Sequence, residues 1–271
     1  MKRYKCEIAK YEKKDAITVL FLFLFYCILS VGIVLIDRAV EPNLPVQQRQ
    51  IIGMLLFLIG AAVVSAIIFI RKQNFSSIGI HKENLRFALR LGVMFALIPL
   101  TIAGILPGLM YGWDVRSFRL MMFLLLYAFV LATVEDIIFV GFMQTRLYGL
   151  FKTDKSAVFV GAALFSLGHV PAWLIIGNLD FDNLLFFGIF IVFWFVMHCV
   201  NVAIFKRYFS LIPVILLHTI SNFSQTSIWV LTDDNREYAE SWATIAMIAI
   251  IVAVGVWSWY TDCRAGKISI D

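Results

Sequence analysis

The stretch AITVLFLFLFYCILSVGIVLI, residues 16–36, contains 21 consecutive residues without a charge. At about 1.5 Å of rise per residue, a helix of this length spans about 30 Å, the thickness of a bilayer's hydrocarbon core. Comparable apolar runs recur along the chain. The sequence therefore predicts an all-α fold, a polytopic transmembrane helical bundle of about eight spans. Their predicted bounds are residues 16–36, 51–70, 87–110, 119–145, 156–177, 184–205, 208–231 and 242–261.

The composition agrees with a membrane protein. Of the 271 residues, 61% are hydrophobic and 15% are charged, and the mean hydropathy is +0.88. A water-soluble domain of this size needs more polar surface than such a chain supplies. Lipid also requires each backbone polar group to be satisfied within its own helix. We therefore expect residues 1–271 to form a single multi-pass integral membrane domain whose partner is the lipid bilayer.

The distribution of positive charge predicts the topology. Of the 23 Lys and Arg residues, 18 lie in the two terminal tails and in or beside every second loop, Arg146 after span 4 among them, and five lie in or beside the other loops. The positive-inside rule then places both termini in the cytosol, and a compact chain of this kind is typical of a bacterial plasma membrane. The net charge of +5 belongs to these span-flanking residues, so we expect no nucleic-acid partner.

A few ionisable and amide side chains lie within the predicted spans. An ionisable group in hydrocarbon costs several kcal/mol and marks a candidate functional site. Those that lie well inside a span or form part of a motif include Glu135, Asp136, His169, His198, Asn201, His218 and Asn222. For His198 and Asn201, we expect an interhelical hydrogen bond rather than a catalytic role.

Three of these residues lie at a similar predicted depth in the membrane. Counted from the cytosolic ends of their helices at 1.5 Å per residue, Glu135 and His218 lie roughly 16 Å deep and His169 roughly 21 Å deep. Asn222 follows His218 by one helical turn and shares its face. Spans 4, 5 and 7 could therefore bring these groups to one buried site.

Three kinds of chemistry fit such a site. A carboxylate near imidazoles can deprotonate a water molecule, and Asn222 could donate to the resulting oxyanion. Glu135, His169 and His218 could instead hold a divalent metal such as zinc, with an open position for water. The same residues could also carry protons through a transporter. The spacing alone leaves these alternatives open.

The order of three short motifs resembles the CPBP family of intramembrane endopeptidases, also called the CAAX protease and bacteriocin-processing, or Abi, family. The first motif, EExxxR followed by Gly, corresponds to EDIIFVG at residues 135–141. The second, FxxxH, corresponds to FSLGH at residues 165–169. The third, HxxxN, corresponds to HTISN at residues 218–222. The resemblance covers residues 119–230.

The resemblance implies a role for each motif residue. Glu135 would activate water, His169 would assist it or bind a metal, and His218 with Asn222 would form the oxyanion hole. Asp136 and Phe165 would support the site. The motifs do not decide between a metal and the glutamate alone.

The first motif is degenerate in this chain. Asp136 replaces the second Glu and is shorter by one methylene group, and Val140 replaces the Arg. The sequence therefore favours an endopeptidase that cleaves a membrane-embedded or membrane-adjacent peptide or protein, in peptide processing or bacteriocin self-immunity. The main alternative is a catalytically inactive scaffold or regulator that binds another membrane protein. A proton-coupled transporter is the third hypothesis.

Overall fold

The computed structural model describes residues 2–83, 85–176 and 181–264. Over these residues the chain is helical without a β-strand, and residues 75–78 form a short 3₁₀ turn. Two π-helical segments, Leu100–Ile105 and Ile137–Met143, interrupt longer helices. The α-helices are α1 (Lys2–Ile8), α2 (Lys13–Val40), α3 (Val46–Ile70), α4 (Leu85–Pro99), α5 (Leu106–Tyr111), α6 (Phe118–Asp136), α7 (Gln144–Leu147), α8 (Asp154–Ile176), α9 (Phe181–Tyr208), α10 (Ile212–Thr226) and α11 (Asp233–Arg264).

Within the described residues, seven helical stretches are long and apolar enough to cross a membrane. The segment Ile212–Ser224 is a shorter apolar helix. The prediction of an all-α polytopic membrane protein is thus confirmed, and about eight spans agrees with these helices. The cytosolic position of the termini stays a prediction. The seven stretches are Lys13–Val40, Val46–Ile70, Leu85–Tyr111, Phe118–Leu147, Asp154–Ile175, Phe187–Tyr208 and Asp234–Asp262.

The seventh predicted span is shorter than its apolar run. Instead of covering residues 208–231, α10 begins at Ile212 and ends at Thr226. Before it, Phe209 has a φ of 51°, which a continuous helix does not allow. After it, the backbone N–H of Val230 donates to the carbonyl of Asp114, so this segment pairs with a neighbouring chain segment rather than with its own helix. Hydropathy does not distinguish the two arrangements, because it depends on composition and not on backbone conformation.

The chain divides into two compact units, each assembled from two separate stretches. The first unit contains residues 1–83 and 133–211, and the second contains residues 84–132 and 212–271. The boundary therefore falls inside α6, just before Glu135. The expectation of one integral domain stays a prediction.

In the first unit, α2 packs against α3 and α8, and α8 packs against α9. The N-terminal segment belongs to the core of this unit. Tyr4 is 2% exposed and makes edge-to-face ring contacts with Tyr148, Phe205 and Phe209. A cytosolic tail with only a charged surface would not bury such a ring, so this segment is part of the fold.

The π-helical segment of the first unit directly follows Glu135 and Asp136. Its residues from Ile138 to Met143 are buried. Gly141 permits close packing here, because an added Cβ would lie 3.0 Å from the Ile78 carbonyl oxygen and 2.9 Å from a methyl group of Leu211. π-Helical turns inside α-helices occur frequently at functional sites.

In the second unit, α4 packs most extensively against α10, and α11 packs against α4. Gly92 brings α4 close to Pro213 and Leu216, the small-residue contact common between membrane helices. The π-helical segment of this unit follows Pro99, whose ring nitrogen cannot donate a helical hydrogen bond. Its Gly104 lies against Ser224 and Ile228.

Candidate functional site

Glu135 lies near the C-terminal end of α6, and its side chain is 12% exposed. The phenolic O–H of Tyr26, from α2, donates to Glu135 Oε1 over 3.0 Å. His169, from α8, places Nε2 3.9 Å from the same oxygen. Three helices thus bring a carboxylate, a phenol and an imidazole together, as the depth count predicted for Glu135 and His169.

His169 has a fixed orientation and a defined ring nitrogen facing the carboxylate. Its Nδ1 donates to the Phe165 carbonyl oxygen over 2.8 Å, one turn back along α8. Nδ1 therefore carries a hydrogen, and Nε2, which is an acceptor whenever the ring is neutral, faces Glu135. Trp194, from α9, stacks on the imidazole with ring centroids 4.2 Å apart and planes 17° apart. The hydrogen bond and the stacking together restrict rotation of the ring.

Phe165 lies between two histidines, which gives a physical basis for its predicted supporting role. Its ring meets His169 edge-to-face at 4.9 Å and stacks on His198 at 5.2 Å. His198 Nε2 lies 3.2 Å from the Gln144 side-chain oxygen, and both residues are buried. The interhelical hydrogen bond expected for His198 is therefore present, between α9 and α7. Gly161 allows this contact, because an added Cβ would lie 2.1 Å from that oxygen.

Asp136 is 1% exposed, and Val140, one turn later, is also 1% exposed. The position that carries Arg in the family motif is thus a buried apolar one in this chain. Arg146 was expected in the loop after the fourth span, but it is helical, while its cytosolic side stays a prediction. It lies in α7 and is fully buried.

A polar and aromatic cradle holds the Arg146 guanidinium. The group donates to the Gln73 side-chain oxygen over 2.6 Å and to Ser77 Oγ over 3.0 Å. The rings of Tyr11 and Phe142 lie 4.6 Å and 4.2 Å from its central carbon. Cation–π contacts and hydrogen bonds offset the cost of burying this charge.

The other two predicted catalytic residues, His218 and Asn222, lie on α10 in the second unit. His218 is half-buried and Asn222 is exposed. They are one helical turn apart, as the motif requires. Their assembly with Glu135 and His169 into one oxyanion site stays a prediction.

The metal hypothesis requires a sufficient set of ligands. Catalytic zinc sites use three protein ligands and leave one position for water. Among the described residues of the first unit, Glu135 and His169 are not joined by a third His, Cys, Asp or Glu in a group able to hold a metal ion. A metal bound by Glu135, His169 and His218 stays a prediction.

Two contributors to the site were missed by the sequence analysis, Tyr26 and Trp194. Tyr26 lies 12 residues beyond Lys14, so the same depth count places it at roughly 18 Å, level with Glu135. Applying the count to phenols as well as to ionisable groups would have identified it. Trp194 carried no comparable signal, because tryptophans in membrane proteins mostly occupy the interface.

These features define a class of protein: a multi-pass helical membrane protein with a carboxylate–imidazole pair inside its spans. Residues 116–224 match the protein family described as type II CAAX prenyl endopeptidase Rce1-like. The match covers all three motifs and confirms the resemblance. The chain is therefore a multi-pass membrane protein whose residues 116–224 are similar to the Rce1-like CAAX protease family. No curated protein matches the chain significantly.

Proposed function

We propose that the protein is an intramembrane endopeptidase that hydrolyses a peptide bond in a membrane-associated peptide or protein. The observation that carries this proposal is the contact of Glu135 with Tyr26 and His169 inside the spans. The family match makes an endopeptidase the relevant chemistry for such a site. The low exposure of both side chains, 12% for Glu135 and 19% for His169, favours reaction in a water-poor environment.

The geometry supports a general-base reaction. Glu135 takes a proton from a water molecule while the water oxygen bonds to the carbonyl carbon of the scissile peptide. The resulting tetrahedral oxyanion collapses, the carbon–nitrogen bond breaks, and the proton passes from Glu135 to the leaving amine. Glu135 is then a carboxylate again. The neutral Nε2 of His169 can accept a hydrogen bond from the water and orient it toward the substrate.

Tyr26 is a positioning residue in this scheme. Its O–H donates to Glu135 Oε1 over 3.0 Å and so fixes the orientation of the carboxylate that takes the water proton. For the oxyanion, we assign the donor role to His218 and Asn222, on the basis of the family motif. Removal of one such donor in a protease typically costs about 10²–10³-fold in turnover.

The biological setting follows from the same proposal. A bacterial plasma membrane, with substrates that are processed peptides or bacteriocins to which the cell must be immune, fits the resemblance and the basic loops. The family description also makes prenylated CAAX peptides the first substrates to test.

The decisive experiment compares wild type with Glu135→Gln, which keeps an oxygen for the Tyr26 hydrogen bond but removes the base. Purified protein in proteoliposomes is given a fluorogenic farnesylated CAAX peptide, and membranes from expressing cells are searched for new peptide N-termini by mass spectrometry. Cleavage should fall about 10²–10⁴-fold in the variant. The matched control is Glu83→Gln, an exposed carboxylate remote in sequence from the motifs. Equal cleavage by Glu135→Gln and wild type would refute the proposal.

A catalytically inactive scaffold is the second candidate. It is favoured by the buried Val140 at the position of the motif's Arg. A scaffold would retain its cellular phenotype in both Glu135→Gln and His169→Gln, whereas a protease would lose it in both.

A further inference from the structure

A polar cavity of about 530 Å³ lies in the first unit, apart from the Glu135 site in sequence and composition. Its wall comes from the end of α1, the start of α2 and the loop after α3. The apolar run of α2 begins just beyond Asp15, and that of α3 ends at Ile70. The cavity therefore lies where two adjacent spans leave the hydrocarbon, at the level of lipid headgroups.

The lining presents positive charge. It contains four cations, Lys10, Lys14, Arg71 and Lys72, and two acids, Glu7 and Asp15. The acidic side chains are covered: Glu7 is 12% exposed and Asp15 is 7% exposed. Their cationic partners reach outward, with 65% exposure for Lys10 and 30% for Arg71. A ligand entering the cavity would thus meet ammonium and guanidinium groups before carboxylates.

The remaining lysines of the lining, Lys14 and Lys72, are exposed. Lys14 is 74% exposed and pairs with Glu12, which is itself 69% exposed. Such exposed ion pairs contribute little and exchange readily. The Arg146 guanidinium, which donates to the lining residues Gln73 and Ser77, adds a buried positive charge behind the wall.

We propose that this cavity, which we call the headgroup pocket, binds a phosphate group, and that the phosphate belongs to an anionic phospholipid. Basic pockets between spans at the membrane surface suit phosphodiester headgroups, and each lysine near the surface adds to their attraction. The pocket shares α2 with Tyr26, so a bound headgroup and the Glu135 site are connected by one continuous helix. A soluble phosphate is the other source of the same chemistry.

The test uses the purified full-length chain in detergent and measures its unfolding temperature as lipid is added. Phosphatidylglycerol and phosphatidylcholine with identical acyl chains are compared with inorganic phosphate. Wild type should be stabilised by phosphatidylglycerol and not by phosphatidylcholine. In Lys14→Gln/Lys72→Gln, the lipid concentration for half of this effect should rise roughly tenfold. The matched control, Lys82→Gln/Lys155→Gln, removes two exposed cations outside the lining and should behave as wild type.

The outcomes separate the alternatives. Stabilisation by inorganic phosphate alone, lost in the same double variant, would support the pocket and assign it to a soluble phosphate. Equal responses of the two double variants to phosphatidylglycerol would overturn the proposal. Neither result depends on peptidase activity, so the headgroup pocket and the proposed function can fail separately.

Discussion

The two units carry their motif residues in different ways. In the first, Glu135 and His169 are enclosed and held by Tyr26, Phe165 and Trp194. In the second, Asn222 is exposed on α10, a helix packed closely against α4. An enclosed group contributes to packing as well as to chemistry, whereas an exposed amide contributes little to packing. Substitutions in the two units should therefore separate stability from activity in different ways.

The largest effect is expected at the imidazole beside Glu135. His169→Gln keeps a polar side chain of similar size but removes the ring that orients the water, so peptidase activity should fall about 10²–10⁴-fold. It is measured by cleavage in proteoliposomes. The matched change is His198→Gln, at the other histidine whose ring contacts Phe165. That variant should mainly lose thermal stability, because His198 contacts Gln144 in a buried layer. Equal activity losses in both would remove the distinction between these histidines.

The next effect tests the second unit. Asn222→Ala should lower turnover about 10²–10³-fold if the amide is an oxyanion donor. Because Asn222 is exposed, the unfolding temperature of the variant should stay close to that of wild type. Asn201→Ala, at a buried amide of the first unit, should show the reverse pattern. Full activity of Asn222→Ala would mean that the Asn222 amide supplies no group to the reaction.

Each of the two π-helical segments contains a closely packed glycine, and the stability cost of replacing that glycine can be compared between them. A methyl group at Gly141 would meet the Ile78 carbonyl oxygen, a backbone atom that cannot move independently. At Gly104, the nearest atom is the end of the flexible Ile228 side chain, 2.8 Å away. Gly141→Ala should therefore cost about 1–3 kcal/mol of unfolding free energy, and Gly104→Ala less. Thermal unfolding in matched detergent measures the difference, and the opposite ranking would contradict it.

The smallest effect is expected at Tyr26. Tyr26→Phe removes one hydrogen bond to Glu135, worth about 1.5–3 kcal/mol when the acceptor is charged. Since the carboxylate itself remains, kcat should fall roughly tenfold while KM changes little. Tyr26→Leu removes the ring as well and should also lower the unfolding temperature. A change confined to KM in Tyr26→Phe would contradict a positioning role.

Much of the fold could be predicted because hydrocarbon imposes a length and a composition on each span. The pairing of Glu135 with His169 followed from depth, since both residues lie at a similar number of residues from the end of a span. The sequence did not predict that α10 ends at Thr226. Residues 227–231 have the same hydropathy whether they continue a helix or pair with a neighbouring segment.

Other parts of the site depend on packing that hydropathy does not encode. The π-helical segment after Asp136 arises from the contacts of the folded chain, and no residue pattern in IIFVGFM predicts it. The burial of Arg146 was missed because a cation next to a span end is ordinarily solvated. Its aromatic and amide partners come from the π-helical segment Ile137–Met143, the loop after α3 and the link before α2, which only the folded structure brings together.

The buried N-terminal segment also determines how the orientation of the chain can be established. Topology is often mapped with reporters fused to successively truncated chains. Any truncation before Tyr148 would remove ring partners of Tyr4 and change the segment whose side is being assayed. Cys6, in the same α1, is exposed and allows another approach. In intact cells, a membrane-impermeant maleimide should leave Cys6 of the full-length protein unmodified until the membrane is permeabilised.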